Sequence, residues 1–76
     1  MQTAVITFNE PKKGVVSDSW LLTIREGPDI STPMIEILHF ADEVELLGKC
    51  DKYYKVKTKK GRIGYAHMLH IKEVST

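Results

Sequence analysis

The chain has 76 residues, 42% of them hydrophobic and 28% charged, with a formal net charge of +1. That length makes one domain with a small core, since a chain of this size hides only about 60% of its unfolded surface. The composition argues against intrinsic disorder. The near-zero charge supplies no global field toward nucleic acid or an anionic membrane, and no apolar run approaches the ~20 residues that span a bilayer.

The first residues, Met-Gln-Thr-Ala-Val-Ile-Thr-Phe, lack the basic start and long apolar centre of a signal peptide. Two expectations follow: a cytoplasmic protein, or a domain cut from a longer exported one. Residues 3–8 are enriched in β-branched side chains and read as a strand. Residues 9–14, with Pro11 and Gly14, read as a polar turn. Val15 and Val16 begin an extended piece, Ser17-Asp18-Ser19 interrupts it, and Trp20 to Arg25 resume it. In that segment Trp20, Leu22 and Ile24 share one face, which places Trp20 in the core or at its edge. Gly27-Pro28 stops the strand, because proline cannot donate to a ladder, and residues 26–33 form a loop.

Residues 33–47 support two readings. Met34, Ile37, Leu38, Ala41, Val44 and Leu47 recur at intervals of three and four, which is helical spacing. Thr32 would cap such a helix, Pro33 suits its first turn, and Gly48 would end it. The rival is two short strands, 34–38 and 44–47, joined by a tight turn at Phe40, Ala41, Asp42 and Glu43. Pattern alone leans toward the helix. Beyond Gly48 the alternation of residues 53–58 marks a strand, Lys59-Lys60-Gly61 a hairpin turn, and residues 62–66 its partner. Gly64 inside that partner marks a bend or a close backbone approach. Residues 67–70 suit a single 3₁₀ turn, and residues 71–74 a closing strand.

Three blocks carry a family resemblance. GVVSDSWLLTIREGPD (14–29) resembles the segment around the L-N-V-R-S-G-P signature of bacterial SH3 domains, the SH3b family. MIEILHFADEVELLG (34–48) is similar to that family's V-I-x-x-L-x-x-G-x-x-V-x-V-L, with Ala41 where glycine is usual. KYYKVKTKKGRIGYAHMLHI (52–71) resembles its W-x-K-V-x-x-x-x-G-x-x-G-W-V-x-x-x-Y-L, with Tyr53 and Tyr65 replacing tryptophan and His70 replacing tyrosine. The resemblance implies an all-β fold: a small SH3-like barrel of five to six strands with a 3₁₀ turn near the C-terminus. It makes residues 34–47 two strands. Residues 14–74 would be the barrel, 1–13 an N-terminal extension forming an added strand, and 75–76 a tail.

Catalytic chemistry has no foothold. No nucleophile, base and acid are spaced as a triad, and no glycine loop cradles phosphate. Asp42, Glu43 and Glu45 read as a solvated face. His67 and His70 stand three apart, but a metal site needs three or four ligands, so neither metal nor cofactor is expected. Cys50, the single cysteine, forms no internal disulfide and reads as a small structural thiol. Tyr54 shares its strand face with Val56 and belongs to the core, whereas Tyr53 falls on the other face with Lys55 and Lys57.

In SH3-type barrels the aromatic at Tyr53's position lines a ligand groove. The same resemblance gives that groove a second side from His67 and His70 and a third from Glu26 and Asp29. The implied function is a non-catalytic module that binds peptidoglycan or another extended peptide, with cell-wall association if the chain belongs to an exported protein. The alternative is an intracellular or phage-encoded protein-interaction domain; a monomer or weak dimer is expected in either case. Charge is segregated along the chain: six acids and no Lys or Arg from Glu26 to Glu45, then seven bases and one acid from Lys49 to Arg62. Lys57, Lys59, Lys60 and Arg62 are therefore candidate contacts for an anionic partner, although lysine-rich strands also serve to prevent aggregation. Nucleic acid is a third reading, and the near-neutral total counts against it.

Overall fold

A computed structural model of the chain describes residues 5–74. The proposed tail 75–76 and the first four residues of the expected N-terminal extension lie outside the described residues. Seven antiparallel strands are present: β1 (Ile6–Val16), β2 (Leu21–Arg25), β3 (Met34–His39), β4 (Glu43–Cys50), β5 (Tyr53–Lys57), β6 (Ile63–His67) and β7 (Ile71–Val74). A 3₁₀ turn, Met68–His70, links β6 to β7. They form one sheet in the order β3-β2-β6-β5-β4-β1-β7. The fold is the all-β barrel expected, with seven strands among the described residues where five to six were expected.

The turn expected at residues 9–14 is absent, because the whole stretch belongs to β1. The strand pairs Thr7 with Gly48 and next Lys12 with Leu46, so five steps along β1 match two along β4. Pro11 lies in this bulge, where the ladder requires no N–H from it. β1 therefore runs through the position 13/14. Beyond the bulge it is paired on both sides, Lys13 to Glu45 of β4 and to Val74 of β7. Phe8 packs against the core, and the Lys12 ammonium sits 5.0 Å above its ring.

Residues 34–47 form two strands. In β4, Val44, Leu46, Gly48 and Cys50 are buried, and the residues between them are exposed or half-buried. This is a period of two, the mark of a strand with one face on the core and not of a helix. Leu38 on β3 pairs with Leu22 on β2, both buried. The helical spacing arose because the turn at residues 40–42 offsets two strand patterns. Ala41 holds that turn at φ +72°, a left-handed conformation that is uncommon without glycine.

The core comprises Val16, Leu22, Ile24, Leu38, Val44, Leu46, Val56, Ala66 and Ile71, with Ile35 and Tyr54 against it. Every strand contributes. Full burial of each large aliphatic side chain stabilises by about 1.5–3 kcal/mol before conformational entropy is subtracted. Two hydrogen-bond groups close the barrel. Val16 N–H donates to Asp42 C=O and Ala41 N–H to Val16 C=O, each at 2.9 Å. Ser17 N–H donates to His70 C=O, also at 2.9 Å.

Trp20 departs from the sequence expectation. It is 82% exposed, although Leu22 and Ile24 are buried as foreseen. The strand begins only at Leu21, and Asp18 turns the chain at φ +56°. Trp20 lies after that turn and before the first residue of the strand, so it stands at the open end of the buried row of Leu22 and Ile24.

Candidate functional site

The β5–β6 register sets Tyr53 directly opposite His67. Opposed residues of an antiparallel pair project from the same face with their Cβ atoms about 5 Å apart. Their rings meet edge to face, with centroids 5.3 Å apart and an interplanar angle of 65°. His67 also caps the 3₁₀ turn: its Nδ1 accepts from Leu69 N–H at 3.2 Å. An accepting Nδ1 leaves the neutral ring's proton on Nε2. One turn later His70 brings its ring to 6.0 Å from His67. Its Nδ1 is buried with no hydrogen-bond partner.

Beside these rings lies a cavity of about 440 Å³ lined by Asp51, Lys52, His67, Met68 and Leu69. Two of its lining residues are joined where Met68 N–H donates to Lys52 C=O at 2.9 Å. The arrangement combines a half-buried aromatic edge, an exposed Leu69 and flanking polar groups. It can hold a short apolar or peptide group by contact and by hydrogen bonds. Among the described residues no group of three or more His, Cys, Asp or Glu side chains is placed to hold a metal ion.

Tyr53, His67 and His70 are thus brought together. Glu26 and Asp29 make their contacts within their own loop. Glu26 N–H donates to Pro33 C=O, and the Asp29 carboxylate accepts from Ser31 N–H at 2.9 Å. That backbone hydrogen bond, followed by one from the Ser31 side chain, holds the Asp29 carboxyl below its ordinary pKa. Desolvation opposes the shift and the Arg25 charge adds to it. Thr32 Oγ1 carries one proton and lies within reach of two carbonyls of the same loop, 2.7 Å from that of Asp29 and 3.1 Å from that of Gly27, and Arg25 Nη1 donates to Thr32 C=O at 2.8 Å.

The basic residues divide. Lys57 and Lys59 line a cleft of about 410 Å³ that also holds Lys12, Lys13, Glu43 and Glu45. Glu43 lies 3.5 Å from the Lys13 ammonium and 3.8 Å from that of Lys59. The cleft is therefore mixed in sign. Arg62 reaches the other way, where its Nη1 donates to Ile35 C=O on β3 at 2.7 Å. Lys60 stands exposed at the turn beside Gly61, whose φ is +85°.

A second aromatic group was missed. Trp20 and Phe40 pack with centroids 5.7 Å apart, and both are largely exposed. The signal available was the Ser17-Asp18-Ser19 break, which puts Trp20 at the very start of the extended segment, beside a turn.

No family model matches the chain, and no curated protein matches it. Among solved structures it is similar to that of NlpC2 from Trichomonas vaginalis, with a TM-score of 0.74 and 19% sequence identity. The match covers 83% of this chain and 23% of that one, so the chain spans about a quarter of that structure's length. A likeness at this identity speaks to architecture, and the chain has an SH3-like β fold.

Proposed function

We propose that the chain is a non-catalytic binding module of the SH3b kind, which holds an extended peptide such as a peptidoglycan stem or cross-bridge against Tyr53, His67 and His70. The observation that carries this reading is the edge-to-face contact of Tyr53 and His67 beside the 440 Å³ cavity. Aromatic groups held in a concave, partly polar setting are the usual anchors of recognition sites. The three sequence blocks that resemble SH3b domains support the same reading, as does the shared architecture. Affinity for one site would be weak and would gain from repetition or an attached domain.

A peptide added as an eighth strand is the rival mode for a protein partner. β3 ends the sheet, but Arg62 occupies Ile35 C=O there, and Asp42 occupies both the N–H and C=O of His39. These contacts clip both ends of the β3 edge.

The test is co-sedimentation with insoluble, protein-free peptidoglycan. The native chain should pellet, and Tyr53→Ala should bind about tenfold more weakly while its circular dichroism stays unchanged. Loss of the fold in Tyr53→Ala would make the residue a packing element and remove the site. Absence of pelleting would discard the wall ligand and leave a protein partner.

A further inference from the structure

The Trp20–Phe40 pair shares no residue with the Tyr53 groove. Trp20 is 82% exposed and Phe40 54%. Leu21 and Ile37 are exposed on the outward face of the adjoining β2–β3 hairpin, where Leu21 opposes His39 and Ile37 opposes Thr23. Grouped exposed apolar side chains are a feature of interaction sites.

The pair is held, not loose. Phe40 N–H donates to Trp20 C=O at 3.0 Å. The turn beyond is pinned by Asp42, whose Oδ2 accepts from His39 N–H at 2.8 Å and whose N–H donates to His39 C=O at 3.0 Å. A surface organised before binding loses little entropy when it binds.

Charge selects the occupant. Asp18 stands two residues before Trp20, and Asp42 two after Phe40. Of the acids between Ser17 and Glu45, Glu26 and Asp29 lie in the β2–β3 loop, Glu36 accepts from Thr58, and Glu43 pairs with Lys13 and Lys59, so Asp18 and Asp42 are the carboxylates left to act here. His39 Nδ1 lies 3.8 Å from Asp42 Oδ2. Aromatic faces draw cations, tryptophan most strongly, and flanking carboxylates add to the attraction. We propose that Trp20, Phe40, Leu21 and Ile37, flanked by Asp18 and Asp42, form a second docking surface for a basic peptide segment. An arginine or lysine of that segment lies over the Trp20 ring, and a neighbouring aliphatic residue lies on Leu21 and Ile37.

Trp20 is the single tryptophan, so its fluorescence reports on this surface alone. The full chain is titrated at low salt with a short peptide alternating arginine and leucine, with a matched glutamine–leucine peptide, and with an N-acetylglucosamine oligomer. Saturable emission change with the arginine peptide is expected, with at least about tenfold weaker binding of the glutamine peptide. The Asp18→Asn, Asp42→Asn double variant should weaken arginine-peptide binding by about tenfold and flatten its salt dependence. Asparagine tolerates the positive φ at residue 18 and keeps an acceptor for His39 N–H at residue 42. Trp20→Ala, followed by calorimetry, should abolish binding. Equal binding of the two peptides, no saturable change, or a response to the sugar oligomer alone would overturn the proposal. The peptide comparison on the native chain decides the matter even if a variant fails to fold.

Discussion

Two hairpins of this barrel solve the same problem differently. β5–β6 sits inside the sheet and turns tightly: Thr58 N–H donates to Arg62 C=O at 2.8 Å, and Gly61 N–H to Thr58 C=O at 2.9 Å. β2–β3 sits at the sheet's end, and a longer loop joins its strands, braced by Thr32, Asp29 and Arg25. The first is paired on both flanks and carries its charge at the tip. The second has one flank open and carries exposed aromatic and aliphatic groups. Position in the sheet, more than composition, decides which hairpin is left with a surface to offer. The backbone ladder between them holds a single residue pair, Arg25 with Tyr65, so side chains must supply the remaining attachment.

The attachment can be broken in steps. The largest effect should come from Gly64→Val. A Cβ at Gly64 would lie 2.6 Å from Ile24 Cγ2, 2.7 Å from Arg25 C=O and 2.7 Å from Ile35 Cδ1, all on the β2–β3 hairpin. Backbone and buried side chains cannot yield cheaply, and a loss of about 3 kcal/mol or more is expected in urea unfolding. Next is Thr58→Val. Thr58 is buried, donates from Oγ1 to Glu36 Oε1 at 2.8 Å, and accepts from Arg62 N–H. Valine keeps the shape and orphans both partners, so about 1–2 kcal/mol should be lost. Arg62→Ala removes the exposed contact to Ile35 C=O and should cost about 0.5–1 kcal/mol, read as a modest fall in thermal midpoint.

The smallest effect is confined to acid and to the loop of the outer hairpin. Asp29 has a lowered pKa in the folded chain. Its carboxylate therefore contributes stability above the unfolded pKa, and that contribution fades as pH falls through the folded value. Asp29→Ala should show a flatter stability curve below about pH 4 than the native chain and the same curve shape near neutrality. An unchanged acid limb would mean that the Ser31 contacts do not brace the loop.

The seam explains what was legible beforehand. β5, its turn and β6 were read nearly to the residue, because alternation, Gly61 and Gly64 all act over short distances. The grouping of Tyr53 with His67 came from the SH3b resemblance, and the β5–β6 register is what places the two rings side by side. Residues 9–14 were not legible: Pro11 and Gly14 signal a turn locally, and only pairing with β4 makes them a bulged strand. Residues 34–47 were ambiguous because Ala41 takes a backbone angle that its side chain does not advertise. Trp20 misled for the opposite reason, since its hydrophobicity speaks for burial and the chain's path past Asp18 denies it. The Arg62 contact with β3 joins residues 27 positions apart and leaves no local trace.

Cys50 closes β4 with 1% of its surface accessible. A reagent that modifies thiols must wait for the barrel to open at that point. Under conditions where reclosing outruns reaction, the labelling rate measures the population of the opened state; at high reagent it measures the rate of opening itself. The protein thus carries a built-in clock for its own breathing, one that runs without a chromophore and reads from inside the strand between β1 and β5.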